Sequence, residues 1–299
     1  SHLAALRYGE QSCSVEALAE TPFEEVAEVV FRRYARHWKP GTLAVNGMYL
    51  KNQILPRFRG QQIGAITSKD VQQWFASLRS TPATADRAMP VLSVIMREAE
   101  NHGYRPEGSN PCRNIRRYRR RGRERFLSQE ETRRLGAALA RHDGHILAAA
   151  VRLLLLTGCR RNEIMTLQWQ DYRDGHLFLR DSKTGPRTVW LSSAARAVLD
   201  GLPRTDVWVF PARTGSGPSP GLNRFWQELR EEAGFGDVRL HDIRHSYASF
   251  ALQAGETVLT IGRLLGHRRP ETTLKYIHLA DDSVRAAVDA VAPILGGQG

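Results

Sequence analysis

The chain is 299 residues long and carries 43 Lys and Arg against 31 Asp and Glu, which gives a formal net charge of +12 at pH 7. This length is sufficient for two domains with separate hydrophobic cores. The charge favours a polyanionic partner such as DNA or RNA, because Lys and Arg contacts release counterions from phosphates. The longest apolar run is too short to cross a bilayer, so we expect no membrane segment.

Targeting signals and cysteine usage give the expected compartment. The N-terminus does not combine a basic region with an apolar one, so we expect no secretory signal. Cys13, Cys112 and Cys159 are odd in number and widely separated, without metal-ligand spacing or a disulfide pattern. These features indicate a reducing, cytoplasmic setting.

Helical patterns dominate the first third of the chain. Residues 1–20 have no strong period, and we interpret them as a lead-in or the remnant of a removed N-terminal module. Thr21 and Glu24 predict a capping box at the first helix, with Pro22 in its first turn. Three more helices are predicted at 42–55, where Pro56 would end the helix, and at 68–78 and 84–101. Residues 21–103 are therefore predicted to form a small, basic four-helix unit.

A dense run of arginines separates this unit from the rest of the chain. Because like charges repel and the run has no apolar face, residues 104–126 are predicted to be an extended linker. The linker is either a solvated tether or a strap along a DNA backbone, where phosphates would favour it. The DNA-binding candidates are Arg116, Arg117, Arg119, Arg120, Arg121 and Arg123.

The second unit, residues 127–299, is predicted to be helical with one small sheet. Ser128 and Glu131 predict a capping box at its first helix. Two short β segments at 176–179 and 188–191 predict a hairpin with Lys183 near its tip. Further helices are predicted at 144–156, near Ser193, Leu222, His241, Thr257 and Glu271, and at 283–295. The chain as a whole is thus predicted to be mainly α with a small β-sheet, an α+β fold.

Several polar residues of this unit could carry chemistry, and each also has a purely structural explanation. Arg160 follows a glycine that ends an apolar helix, and it could bind a ligand or pair with Glu163. His241 and Arg244 are three residues apart and share a helix face, so both could reach one ligand, or they could form an ion pair with Asp242.

His267 and Tyr276 are open to the same two interpretations. His267 follows Gly266 at a close turn, where a histidine could either pack or act on a ligand. Tyr276 follows Leu274 at helical spacing, which is typical of a core residue. Local pattern alone therefore leaves both assignments open.

Five spaced motifs decide between these alternatives. They are Thr-Gly-x-Arg-x-x-Glu-Ile at 157–164, Ser-Lys-Thr-Gly with Arg187 downstream at 182–187, His-Asp-Ile-Arg-His-Ser at 241–246, Leu-Gly-His at 265–267 and Thr-Thr-Leu-Lys-Tyr at 272–276. In this order they resemble the tyrosine recombinase (phage integrase) family of site-specific recombinases. The resemblance covers residues 21–295, and it departs at Trp190, where proline is more common, outside the chemistry.

The resemblance implies a core-binding domain, a catalytic domain and a set of site residues. Arg160 and Arg244 would bind the scissile phosphate, and Tyr276 would attack it to form a 3′-phosphotyrosyl link without ATP, cofactor or metal. Lys183 would protonate the leaving 5′-oxygen, and His241 would assist proton transfer. His267 would hydrogen-bond the phosphate, and Glu163 would orient a histidine or arginine.

The resemblance also implies partners. The substrate would be a specific double-stranded DNA site of a phage or other mobile element, bound by a homotetramer in the synapse and by a monomer or weak oligomer when free. Accessory DNA-bending proteins are possible partners, and the apolar helix at 283–295 would dock on its own domain or on a neighbouring protomer. The alternatives are a topoisomerase-like relaxing enzyme and a catalytically inactive DNA-binding relative.

Overall fold

The computed structural model describes residues 18–118, 125–180, 185–267, 269 and 271–274. The chain divides into two compact units between Arg121 and Gly122. Both are built mainly from helices, and the second also carries a small antiparallel sheet. The predicted fold class is confirmed, and the domain limits at 21–103, 104–126 and 127–299 stay predictions. None of the described helices is both long and apolar enough to cross a membrane.

The first unit is a set of helices around one apolar core that includes Phe58, Trp74 and Leu92. Its elements are α1 (Phe23–Tyr34), α2 (Pro40–Tyr49), a π-helical turn (Leu50–Ile54), α3 (Leu55–Phe58), a 3₁₀ turn (Ile63–Ala65), α4 (Ser68–Ser77) and α5 (Pro82–Asn101). Helix α4 begins at a reciprocal capping box, in which Thr67 Oγ1 accepts from the Asp70 amide at 3.2 Å and the Asp70 carboxylate accepts from the Thr67 amide at 3.0 Å.

Two local predictions in this unit are wrong. Helix α1 has Pro22 rather than Thr21 as its N-cap residue and no side-chain cap, and the Glu24 carboxylate accepts from the amide of Gly60 at 2.9 Å. Pro56 does not end the second helix, which continues through the π-helical turn into α3. Proline is tolerated there because it lies in the first turn of α3, where its missing amide hydrogen is not needed.

Residues 104–118 of the predicted linker are folded onto the first unit. Tyr104 and Cys112 are buried in its core. The ring of Tyr118 stacks on Phe75 with 4.7 Å between centroids, and its hydroxyl donates to the Phe75 carbonyl at 3.1 Å. These side chains supply apolar surface that the arginine count conceals, so residues 104–118 are not a free tether. Arg119, Arg120, Arg121 and Arg123 lie outside the described residues.

The second unit begins at its predicted capping box. Ser128 Oγ accepts from the Glu131 amide at 3.1 Å, and Glu131 accepts from the Ser128 amide at 2.9 Å. The elements are α6 (Gln129–Arg141), α7 (Ile146–Thr157), α8 (Arg161–Met165), a 3₁₀ turn (Trp169–Asp171), β1 (Tyr172–Arg173), β2 (His176–Leu179), β3 (Arg187–Trp190), α9 (Ser193–Asp200), α10 (Leu222–Glu232), α11 (Leu240–Gln253), α12 (Val258–Leu265) and α13 (Glu271–Leu274).

The predicted hairpin is present as β2 and β3, which pair antiparallel with Leu177 opposite Val189. Strand β1 adds a third, outer strand. Helix α7 is apolar around most of its circumference and lies centrally, packed against α8, α9, α10 and α11. This arrangement brings the end of α7 and the start of α8 close to α11. The predicted helix at 283–295 lies outside the described residues.

Candidate active site

The turn at Gly158 sets the geometry of the site. Gly158 has φ 60° and ψ 16°, a left-handed conformation that ends α7, and its amide donates to the Leu154 carbonyl at 3.0 Å. A Cβ atom at this position would lie 2.6 Å from Cδ1 of Tyr247 and 2.9 Å from Cδ2 of Leu265. Glycine is thus required both by the backbone conformation and by the close approach of α11 and α12.

Glu163 fixes Arg160 immediately after this turn. The Glu163 carboxylate accepts from the Arg160 amide at 2.8 Å and from Arg160 Nη1 at 2.7 Å. Glu163 is buried, whereas the Arg160 side chain keeps 21% of its surface exposed. Burial raises the pKa of Glu163, but the hydrogen bonds and charge of Arg187 and the hydrogen bonds of Arg160 outweigh it and lower the pKa below its ordinary value. Glu163 is therefore an anion that leaves the Arg160 guanidinium partly open to a ligand.

Arg187, the first residue of β3, binds the same carboxylate. Its Nη2 lies 2.8 Å from Glu163 Oε2, and its Nη1 donates to the Leu264 carbonyl at 2.9 Å. Sequence reasoning did not assign Arg187 to the site. A signal was present, because Arg187 and Val189 are two apart in a strand and share its buried face, where an arginine needs an anionic partner.

Arg244 is buried at 4% exposure in α11 and completes the cluster. Its Nη1 donates to the Gly158 carbonyl and its Nη2 to the Leu265 carbonyl, both at 2.7 Å. Burial, followed by the charges of Arg160 and Arg187, lowers its pKa to about 10, so it remains a cation at neutral pH. A guanidinium has five N–H donors, and these two hydrogen bonds use two of them.

A cleft of about 380 Å³ opens beside Arg244. Its wall includes the exposed His241, one turn before Arg244 on α11. The charged lining is basic, and its arginines are Arg161, Arg230, Arg239 and Arg244. Asp242, considered above as a partner of His241 and Arg244, is instead bound by Arg239 at 2.7 Å and is fully buried. The cleft therefore suits an anionic ligand.

His267 follows Gly266, a second left-handed glycine, which caps α12 with φ 66° and ψ 48°. The His267 amide donates to the Gly262 carbonyl at 2.9 Å, and its Nδ1 lies 2.7 Å from the hydroxyl of the buried Thr273. The structure therefore brings together Arg160, Glu163, Arg187 and Arg244, with His241 on the adjoining cleft. Lys183 and Tyr276 lie outside the described residues.

Comparison with known families places both units. The sequence model described as "Phage integrase family" matches residues 125–283, and that described as "Phage integrase, N-terminal SAM-like domain" matches residues 22–79. The integrase of Escherichia phage P2 is 29% identical over 240 residues, which cover 78% of this chain and 66% of the phage protein. The tyrosine recombinase XerD of Brucella suis is 33% identical over 163 residues, or 50% and 53% of the two chains. The chain thus spans about half to two thirds of the length of these relatives.

Solved structures with the same fold include three DNA complexes. A lambda integrase dimer bound to a COC′ core site has a TM-score of 0.70 and 21% identity, covering 83% of this chain and 95% of that one. A lambda integrase tetramer bound to a Holliday junction has a TM-score of 0.72 and 20% identity, with coverages of 91% and 84%. The Tn1549 transposon integrase in complex with transposon right end DNA has a TM-score of 0.69 and 16% identity, with coverages of 89% and 99%.

At these identities the solved structures establish the fold, and the family rests on sequence. The integrase match extends over more than half of the chain, across the turn at Gly158, Arg187 and helix α11. The chain therefore belongs to the phage integrase family.

Proposed function

We propose that the protein is a site-specific DNA recombinase that cleaves and rejoins DNA through a 3′-phosphotyrosyl intermediate, without ATP or metal. The observation that carries the proposal is the cluster of Arg160, Arg187 and Arg244 around one buried carboxylate, beside a basic cleft. Three guanidinium charges against the single charge of Glu163 leave two net positive charges at this point. A phosphodiester would neutralise one of these two charges.

The two arginines assigned to the phosphate are suited to it in different ways. Arg244 is held on two backbone carbonyls, so its orientation is fixed before a ligand arrives. Arg160 is held on one side by Glu163 and is partly exposed on the other. Planar guanidinium forks match phosphate oxygens and remain charged at any working pH. Such preorganised donors stabilise the charge that builds on the phosphate in the transition state.

In the proposed reaction, the hydroxyl of Tyr276 attacks the scissile phosphorus. A P–O bond to the tyrosine forms, and the bond to the 5′-oxygen of the DNA breaks. Lys183 gives a proton to that oxygen, His241 assists removal of the tyrosine proton, and His267 donates a hydrogen bond to the phosphate. Attack by the 5′-hydroxyl of a partner strand reverses these steps, so the phosphodiester bond energy is kept and no ATP is consumed.

The proposed partner is a specific double-stranded DNA site, and the proposed assembly is a homotetramer on synapsed DNA. The net charge of +12 supports binding to a polyanion. Lambda integrase, which shares the fold, is described as a tetramer bound to a Holliday junction. We expect the free protein to be a monomer or weak oligomer that acts in the cytoplasm of a bacterial host.

A suicide DNA substrate carrying the attachment sequence from the DNA that flanks the gene tests the proposal. We expect a protein–DNA adduct that resists detergent, forms in the presence of EDTA and is absent with Tyr276→Phe. Tyr172→Phe is the matched control, because that hydroxyl bonds Asp200 at 2.9 Å and should not affect cleavage. An adduct that persists in Tyr276→Phe would refute the nucleophile. Relaxation of plasmids that lack the site would favour a topoisomerase.

A further inference from the structure

Arg187 joins three elements of the second unit through one side chain. It begins β3, its Nη2 binds Glu163 at the start of α8, and its Nη1 binds the Leu264 carbonyl at the end of α12. The side chain is only 10% exposed. Arg244 is also buried but lines the basic cleft, whereas Arg187 does not, so the contacts of Arg187 indicate a role within the protein.

The end of α12 depends on two arginines. The last carbonyls of a helix lack intrahelical partners, and cations are favoured beside them. Here Arg187 binds the Leu264 carbonyl at 2.9 Å, and Arg244 binds the adjacent Leu265 carbonyl at 2.7 Å. The turn that leads to His267 begins directly after these two carbonyls. Its position is therefore fixed from the same cluster that contains Arg160 and Glu163.

Gly266 lies directly on the side chain of Arg187. A Cβ atom at this position would be 2.5 Å from Cδ of Arg187 and 2.9 Å from its Nε. The glycine of the Leu-Gly-His motif thus allows close contact between the turn and the arginine, in addition to its left-handed φ of 66°. Arg187 and the turn before His267 are packed as one unit.

We infer that Arg187 is a positioning residue for the reaction. Through its contacts with Glu163 and the Leu264 carbonyl, it holds the turn before His267 in place relative to Arg160 and Arg244. The inference rests on the proposed function. The role requires arginine because two partners in different directions are bound by one planar fork, whereas a lysine offers a single ammonium. Arg187 itself is not expected to touch the DNA.

Single-turnover adduct formation on the suicide substrate, measured beside DNA affinity, tests this inference. We expect Arg187→Lys to slow adduct formation on the order of 100-fold, the size of effect that a displacement of about 1 Å can cause. The Kd for DNA should change by less than about threefold, because the charge is retained and the side chain is buried. Arg263→Lys, on the exposed face of the same helix α12, is the matched control and should retain the wild-type rate.

Glu163→Gln provides a second variant, which changes the other partner of the ion pair and perturbs folding in a different way. Because both residues act in one network, the double variant should be no slower than the slower single variant. A wild-type adduct rate in Arg187→Lys, additive losses in the double variant, or a parallel loss of DNA affinity would each overturn the positioning role. Absence of an adduct in the wild-type protein would instead overturn the proposed function.

Discussion

Replacing Gly158 with alanine should destabilise the second unit severely. The backbone there has φ 60°, and a left-handed conformation costs a residue with a Cβ roughly 1–2 kcal/mol. The new methyl group would also lie 2.6 Å from Cδ1 of Tyr247 and 2.9 Å from Cδ2 of Leu265. Overpacking of this kind typically costs about 1–3 kcal/mol. Together the two effects predict a loss of about 2–5 kcal/mol in the free energy of unfolding.

Gly144→Ala separates the two contributions. Gly144 also has a positive φ, 80°, but a Cβ there would meet no atom within 4 Å. We therefore expect only the backbone cost of roughly 1–2 kcal/mol in this variant. Urea unfolding at 25 °C, monitored by circular dichroism, measures the free energy of unfolding of both variants. Both glycines lie in the second unit, so the same unfolding transition should shift in each variant. Equal losses in the two variants would refute the argument that Gly158 is required by the approach of α11 and α12.

Three further predictions concern charge. Glu131→Gln removes a stabilisation caused mainly by hydrogen bonds from Arg125, which lower the pKa of Glu131 from 4.5 to about 2. Because the folded pKa is depressed, the stability difference from wild type in urea titrations should be complete above pH 4.5 and vanish as the pH falls towards 2. Replacing the exposed Arg116 and Arg117 with alanine should reduce the slope of log K against log salt in DNA-binding titrations. The expected reduction is about 1 for each phosphate that is no longer neutralised. An unchanged slope would contradict a strap along the DNA backbone. Arg244→Lys should slow adduct formation on the order of 10²–10³-fold, since one ammonium cannot hold both carbonyls and the phosphate; a near-wild-type rate would contradict preorganisation.

The sequence was sufficient for elements whose signals are local. The capping box at Ser128 and the strands β2 and β3 follow from short patterns, and the structure contains them. Pro56 was misleading because a π-helical turn before it changes the hydrogen-bonding register, which no local pattern reveals. Strand β1 is two residues long, too short for any alternation to be recognised.

Among the described residues of the candidate site, the sequence singled out Arg160, Glu163, His241 and Arg244 but not the network that joins them. The spacing of His241 and Arg244 correctly placed both on one helix, but it did not show that Asp242 turns inward to Arg239. Arg187 and Glu163 are 24 residues apart, and their pairing depends on how β3 packs against α8. Contacts of this range come from tertiary packing, so composition and periodicity do not reveal them.

In the proposed reaction, Tyr276 becomes joined to the 3′-phosphate of cleaved DNA. The most direct test is mass spectrometry of the adduct after protease and nuclease digestion, with end-labelling of the released strand. The proposed mechanism predicts a nucleotide attached through phosphate to the peptide that contains Tyr276, and a free 5′-hydroxyl on the released DNA. A nucleotide on another residue, or a 5′-phosphate on the released end, would contradict it.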